Sequence, residues 1–141
     1  MLQPKRVKYR RPQGLSYEGT AKGGRELNYA EYGLQAMSGN YVTNRQIESC
    51  RVVLTKYTRK GGKVYIRIFP HLGKTKKPAE VRMGSGKGSI DSWVCPVKKG
   101  RIMFEIAGIP DEAAKKALHQ AGYKLPLKTR VVKKGQEGFQ K

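Results

Sequence analysis

The chain has 141 residues, 30 Lys and Arg against 10 Asp and Glu, a net charge of +20 and a hydrophobic fraction of 38%. That length fits one domain with one modest core, and a positive surplus of this size repels itself in a compact state unless a polyanion neutralises it. No stretch approaches the ~18 apolar residues of a membrane span. No apolar run follows the basic start as in a secretory signal, and Pro4 and Pro12 bracket a segment without the amphipathic periodicity of a transit peptide.

Residues 1–25 read as an extended basic arm, punctuated by Pro4, Pro12, Gly14, Gly19, Gly23 and Gly24. Tyr9 and Tyr17 sit in or beside its cations, where aromatics either stack on unpaired bases or fold back onto the domain. Residues 28–37 read as a first strand, with Ser38-Gly39-Asn40 as the turn after it. Thr43-Asn44-Arg45-Gln46 matches a capping box, in which the Thr hydroxyl satisfies an orphan N–H and Gln46 reaches back. Ile47, Cys50, Leu54 and Tyr57 follow at helical spacing as a buried stripe, and Gly61 and Gly62 end the helix.

Val64, Ile66 and Ile68 alternate with Tyr65, Arg67 and Phe69, giving a strand over 63–69 that Pro70 closes. Residues 71–90, rich in Gly, Lys and Ser, read as one long loop, and loops of that length are commonly functional. Residues 92–97 and 102–107 read as a hairpin around Lys98-Lys99-Gly100, with Pro96 placing its strand at an edge or a bulge. Pro110 opens a second helix. Asp111 and Glu112 suit its positive end, Ala114, Ala117, Leu118 and Ala121 make its packing face, and Gly122 is a C′ residue. Residues 127–132 form a last strand. The expected fold is α+β: two helices on a mainly antiparallel sheet, with residues 1–25 as the arm, 26–133 as one domain and 134–141 as a flexible C-terminal tail.

The cations favour pliant segments. Residues 1–25 hold seven basic groups and one acid, residues 56–88 ten and one, residues 124–141 six and one. A DNA-reading protein would gather them along one recognition helix, and no such helix is apparent.

Catalytic chemistry finds no footing. The run Arg82-Met83-Gly84-Ser85-Gly86-Lys87-Gly88 superficially suggests a phosphate-binding loop. However, Val81 stands where a P-loop needs its first Gly, and Gly88 stands where it needs Ser or Thr for magnesium. Ser89 likewise breaks the dinucleotide fingerprint. Glycines that let backbone N–H groups approach phosphate, flanked by Arg82 and Lys87, suit a loop threaded between RNA segments instead. His71 and His119 have no companion base, nucleophile or ligand, the acids form no pair, and Cys50 and Cys95 lack metal or disulfide spacing. No cofactor and no metal are expected.

Several segments together resemble one family, the bacterial-type large ribosomal subunit protein sixteen. They are Met1-Leu2-Gln3-Pro4-Lys5-Arg6, Arg45-Gln46-Ile47-Glu48, Lys63 through Pro70, Lys77-Pro78, Arg82 through Gly88, Trp93-Val94 and Lys124-Leu125-Pro126, in order along nearly the whole chain. The hexapeptide and the Arg82–Gly88 run are the most specific. The resemblance implies a hammerhead-like α+β domain in a cytoplasmic bacterial ribosome. It implies binding to large-subunit ribosomal RNA near the peptidyl-transferase region, beside neighbouring large-subunit proteins. It also implies proximity to aminoacyl-site transfer RNA, with peptidyl-site transfer RNA as a further candidate contact, and no membrane. Arg82 matches a position hydroxylated in some members.

Residues and resemblance together nominate for RNA contact Lys5, Arg6, Lys8, Tyr9, Arg10 and Arg11 in the arm. Arg45, Arg51, Arg59 and Lys60 follow on and after the first helix, then Lys74, Lys76 and Lys77, and then Arg82, Met83, Gly84, Ser85, Gly86, Lys87 and Gly88. Two other classes compete with this reading. An RNA-modifying enzyme would need the acid/base pair, metal motif or cofactor loop that is missing, and a protein of anionic membranes would need a basic amphipathic helix.

Overall fold

The computed structural model describes residues 17–59, 61–75 and 90–134. Its elements are β1 (Tyr32–Ala36), β2 (Asn40–Thr43), α1 (Asn44–Thr58), β3 (Lys63–Ile66), β4 (Leu72–Thr75), β5 (Ile90–Val97), β6 (Ile102–Ala107), α2 (Asp111–Gly122) and β7 (Thr129–Lys133). A four-stranded sheet runs β3-β6-β1-β7 and a three-stranded sheet runs β2-β5-β4. The named strands pair only antiparallel, and one isolated parallel bridge joins Thr20 to Lys99. Two helices with antiparallel sheets give the expected α+β class, divided over two sheets rather than one.

The helices form as their sequence dictates. Thr43 caps α1: its hydroxyl accepts from the Gln46 N–H at 3.2 Å, and the Gln46 side chain accepts from the Thr43 N–H at 2.9 Å. Ile47, Cys50 and Leu54 are buried, Tyr57 packs against the core, and the chain leaves the helix through Gly61 at φ +130°. α2 buries Ala114, Ala117, Leu118 and Ala121. These small side chains let the helices approach closely: Cys50 Sγ donates to the Ala121 carbonyl at 3.3 Å, and Tyr57 Oη donates to Gln120 Oε1 at 2.8 Å.

β1 is buried at every position because both faces of its sheet are covered. Tyr32, Leu34 and Ala36 join the main core with Phe104 and Ile106. On the opposite face Leu27, Ile102 and Val132 form a second cluster, which Gly33 admits. A Cβ on Gly33 would lie 2.4 Å from Leu27 Cδ2 and 2.9 Å from the Phe104 carbonyl oxygen. The β1–β6 register slips between Leu34 and Gln35, so Leu34 faces Phe104 while Gln35 faces Ile102. This bulge places Met103 and Phe104, neighbours in sequence, in the same core.

Several expectations are corrected. Residues 92–97 and 102–107 are not a hairpin, because β5 and β6 lie in different sheets. The chain crosses between them at Gly100 (φ +96°), whose N–H bonds the Ala36 carbonyl while the Arg101 carbonyl accepts from the Ala36 N–H, both at 2.8 Å. β6, buried from Ile102 to Ile106, then takes β1 and β3 as its two neighbours. The expected loop over 71–90 contains β4, and β2 replaces the end of the expected turn at Asn40. β5 is the central strand of its sheet. Pro96 is tolerated there because β4 has already ended, with Leu72 opposite Val94. The first strand starts at Tyr32 rather than 28, because the N–H groups of Asn28, Tyr29 and Ala30 turn onto a side chain instead of a neighbouring strand. Strand 63–69 stops at Ile66, and the last strand runs from Thr129 to Lys133. Gly122 is the final helical residue and not a left-handed C′. A Cβ there would stand 2.5 Å from Thr129 Oγ1, so its role is close packing.

Candidate nucleic-acid interface

Burial of Ile47, Cys50 and Leu54 fixes the rotation of α1 and turns positions 45, 49, 52, 56 and 59 outward, all of them exposed. Arg45, Lys56 and Arg59 therefore share one row along the helix. It extends over about 21 Å at 1.5 Å per residue. Ser49, which donates to the Arg45 carbonyl at 3.0 Å, and Val52 lie between them and add no opposing charge. Arg51 sits to one side of this row. Its Nε lies 3.1 Å from both oxygens of Glu48. Hydrogen bonding from Arg51 holds the Glu48 carboxyl below its ordinary range, and Glu48 in turn pushes the Arg51 guanidinium up. Arg51 thus meets an outside anion only in competition with Glu48.

A second basic feature lies where the two sheets meet. A cavity of about 630 Å³ is lined by Ala21, Lys22, Gly23, Arg67, Ile68, Phe69, His71, Cys95, Pro96, Lys98 and Arg101. Four of these side chains, Lys22, Arg67, Lys98 and Arg101, are positively charged and none is acidic. Backbone bonds fix the walls: the Ala21 N–H donates to the Lys99 carbonyl at 2.8 Å, Ile102 N–H to Gly24 at 2.7 Å and Arg67 N–H to Met103 at 2.9 Å. Arg101 Nη2 donates to the Arg67 carbonyl at 3.1 Å. Cys95, at its floor, has its thiol pushed up by burial, which keeps it protonated and unreactive.

Of the positions nominated from sequence, Arg45, Arg51 and Arg59 come together on α1, and Lys74 falls in β4. Thr75 pairs with Ile90 at the end of β4. Lys5, Arg6, Lys8, Tyr9, Arg10, Arg11, Lys60, Lys76, Lys77 and the Arg82–Gly88 run lie outside the described residues. Tyr17, one of the two arm tyrosines, packs edge-on against Tyr41 with ring centroids 4.9 Å apart. Sequence reasoning set Lys56 on the outward side of the helix but left it out of the nominated contacts, although its spacing from Arg45 and Arg59 puts it on their row. It also passed over Lys22, and over Lys98 and Arg101, because the two segments that carry them are far apart in the chain and give no local signal.

His71 Nδ1 lies 3.1 Å from the Phe69 carbonyl, and His119 Nε2 lies 2.7 Å from Tyr123 Oη at the end of α2. Among the described residues no three His, Cys, Asp or Glu side chains converge as metal ligands, and no helix is long and apolar enough to cross a membrane. What fold and surface define is a basic α+β binding protein with a packed core and a cationic surface.

Comparison with known proteins names the family. The family model for ribosomal protein L16p/L10e matches residues 4–132. The large ribosomal subunit protein uL16 of Spiroplasma citri is 56% identical over 137 residues, covering 97% of this chain and 100% of the relative. The uL16 of Macrococcus caseolyticus is 57% identical over 138 residues, 98% of this chain and 96% of the relative. That of Acholeplasma laidlawii is 57% identical over 137 residues, 97% and 99%. The chain belongs to the ribosomal protein L16p/L10e family. It is a structural constituent of the large ribosomal subunit, with ribosomal RNA and ribosomal proteins as its partners, and not an enzyme.

Proposed function

We propose that this chain seats on large-subunit ribosomal RNA near the peptidyl-transferase region of a bacterial cytoplasmic ribosome. The outer row of α1, the arm over 1–25 and the Arg82–Gly88 run make the contacts, with 26–133 as the folded body and 134–141 as a tail. Aminoacyl-site transfer RNA lies close by, and peptidyl-site transfer RNA is a further neighbour. Arg82 is a candidate for hydroxylation.

The observation that carries this reading is the row of Arg45, Lys56 and Arg59 on the face of α1 opposite the core. Lys and Arg that neutralise phosphates release condensed counterions, so affinity falls with salt in proportion to the contacts made. Replacing all three by Ala is expected to weaken binding to large-subunit RNA. It should flatten the log–log salt slope by about 2 to 3, or about 0.7–0.9 per lost phosphate contact. Folding stability should move by no more than about 0.5 kcal/mol per exposed site. An unchanged slope would remove α1 from the interface.

A further inference from the structure

We infer that the cavity between residues 21–23, 67–71 and 95–101 receives a single unstacked nucleotide of the ribosomal RNA, its phosphate held by Lys22 and Lys98 and its base laid against Phe69. The inference rests on the RNA-binding reading and adds a site that lies apart from the row on α1.

Size comes first. At about 630 Å³ the cavity falls within the ~300–1,000 Å³ of small-molecule sites. It is also open to solvent on one side, as a residue still joined to its strand requires. Charge comes second. Lys22, Arg67, Lys98 and Arg101 face it with no acid on its lining. The buried carboxylate of Glu105 compensates Arg67 from inside the protein, and Arg101 is tied to the Arg67 carbonyl. Lys22 and Lys98 are exposed and stand at the cavity without a described partner. A cleft lined by one sign of charge concentrates the opposite ion.

The third feature is Phe69. It is an apolar ring left 43% exposed at the lining of a cationic cavity, although burial elsewhere would have been favourable. A simple anion has no use for it. A nucleotide does, because an aromatic ring stacks on any base. His71 extends the same edge. With Nδ1 donating to the Phe69 carbonyl, Nε2 is left to accept from a base or sugar hydroxyl. Ile68, Cys95 and Pro96 supply an apolar floor.

The site is preorganised. Gly24 adopts φ +68°, a conformation that favours glycine, and the Arg101 guanidinium lies 2.7 Å from where a Cβ would stand, so glycine lets the strap over 21–24 close against that side chain. Two backbone bonds then clamp the strap to the 99–102 segment. Little ordering remains to be done when a nucleotide enters.

The test replaces Phe69 by p-benzoylphenylalanine in the full chain, assembles large subunits with it and irradiates them. Phe69 is exposed, so the change leaves the core intact. The expected product is a cross-link to one nucleotide, or two adjacent ones, of the large-subunit RNA. Adding Lys98→Glu should lower its yield about tenfold, the loss of one charge-assisted contact. Subunits that incorporate the protein yet give no cross-link, scattered cross-links or a cross-link to a neighbouring protein overturn the site while leaving the RNA-binding reading in place. A chain that fails to enter subunits even with Phe69 intact overturns both. A second arm separates RNA from free nucleotide: the isolated protein titrated with 5′-mononucleotides should show no saturable shift of its Phe69 and His71 resonances below millimolar concentration. Tight saturable binding would assign the cavity to a soluble ligand instead.

Discussion

Glu105 and Arg67 meet inside the protein at 3.3 Å, the carboxylate wholly buried and the arginine side chain 11% exposed. The other oxygen of Glu105 accepts from three consecutive backbone N–H groups, Asn28 at 3.0 Å, Tyr29 at 3.0 Å and Ala30 at 3.1 Å. Arg67 also donates to the Glu26 carbonyl. One acid in the middle of β6 thereby anchors the segment that leads into β1 and aims Arg67, a wall of the basic cavity. Glu105→Gln keeps an acceptor for the three N–H groups but leaves Arg67 partly buried without its countercharge. Breaking a buried pair in this way costs about 3–5 kcal/mol, much of the ~5–15 kcal/mol that stabilises a domain. The denaturation midpoint should fall accordingly with an unchanged m-value. A loss under about 1 kcal/mol would show that the pair is not an anchor.

The second prediction concerns Gly33, held between β6 and β7 where an added Cβ would run into Leu27 and the Phe104 carbonyl. The backbone at 2.9 Å cannot yield as a flexible side chain would. Gly33→Ala should destabilise the fold by about 1–3 kcal/mol through overpacking, measured by thermal or chemical unfolding. Gly23→Ala is its control, since a Cβ there meets nothing within 4 Å. Equal effects at the two sites would refute the packing argument.

Cys50 gives the pH prediction. Desolvation between α1 and α2 pushes its thiol up from 9.0 to about 12. The raised value means that the folded state holds the proton more tightly than the unfolded chain does. Its contribution is therefore fully present below about pH 9 and is lost as pH rises toward 12. Alkylation by iodoacetamide at pH 8 should be slow in the native protein and should accelerate on adding denaturant. Equal rates in both states would contradict the burial.

Much of the fold was legible because its signals are local. The capping box at Thr43 and Gln46, the stripe of Ile47, Cys50 and Leu54 and the alanine face of α2 each depend on residues within a few turns of one another. What escaped was non-local. β4 is four residues, Leu72–Thr75, with a glycine and a lysine, and it is a strand only because β5 pairs with it. The false hairpin arose because Lys98-Lys99-Gly100 has the composition of a tight turn, and only contact with Ala36 makes it a crossing between sheets. The candidate interface divides in the same way. Arg45 and Arg59 were readable from helical period, whereas the cavity cations gather from three separated segments. Glu105 shows the limit most clearly: in sequence it is one acid inside an apolar strand, and its meaning lies in backbone about 75 residues away.

The cations on the outside of this packed body are there to meet RNA phosphate. The most direct measurement is an electron cryo-microscopy map of the large subunit that contains this chain. It should show the side chains of Arg45, Lys56 and Arg59 at ion-pairing distance from ribosomal RNA phosphates along the length of α1. A map in which that face of α1 looks into bulk solvent, or onto another protein with no RNA against it, would contradict the claim.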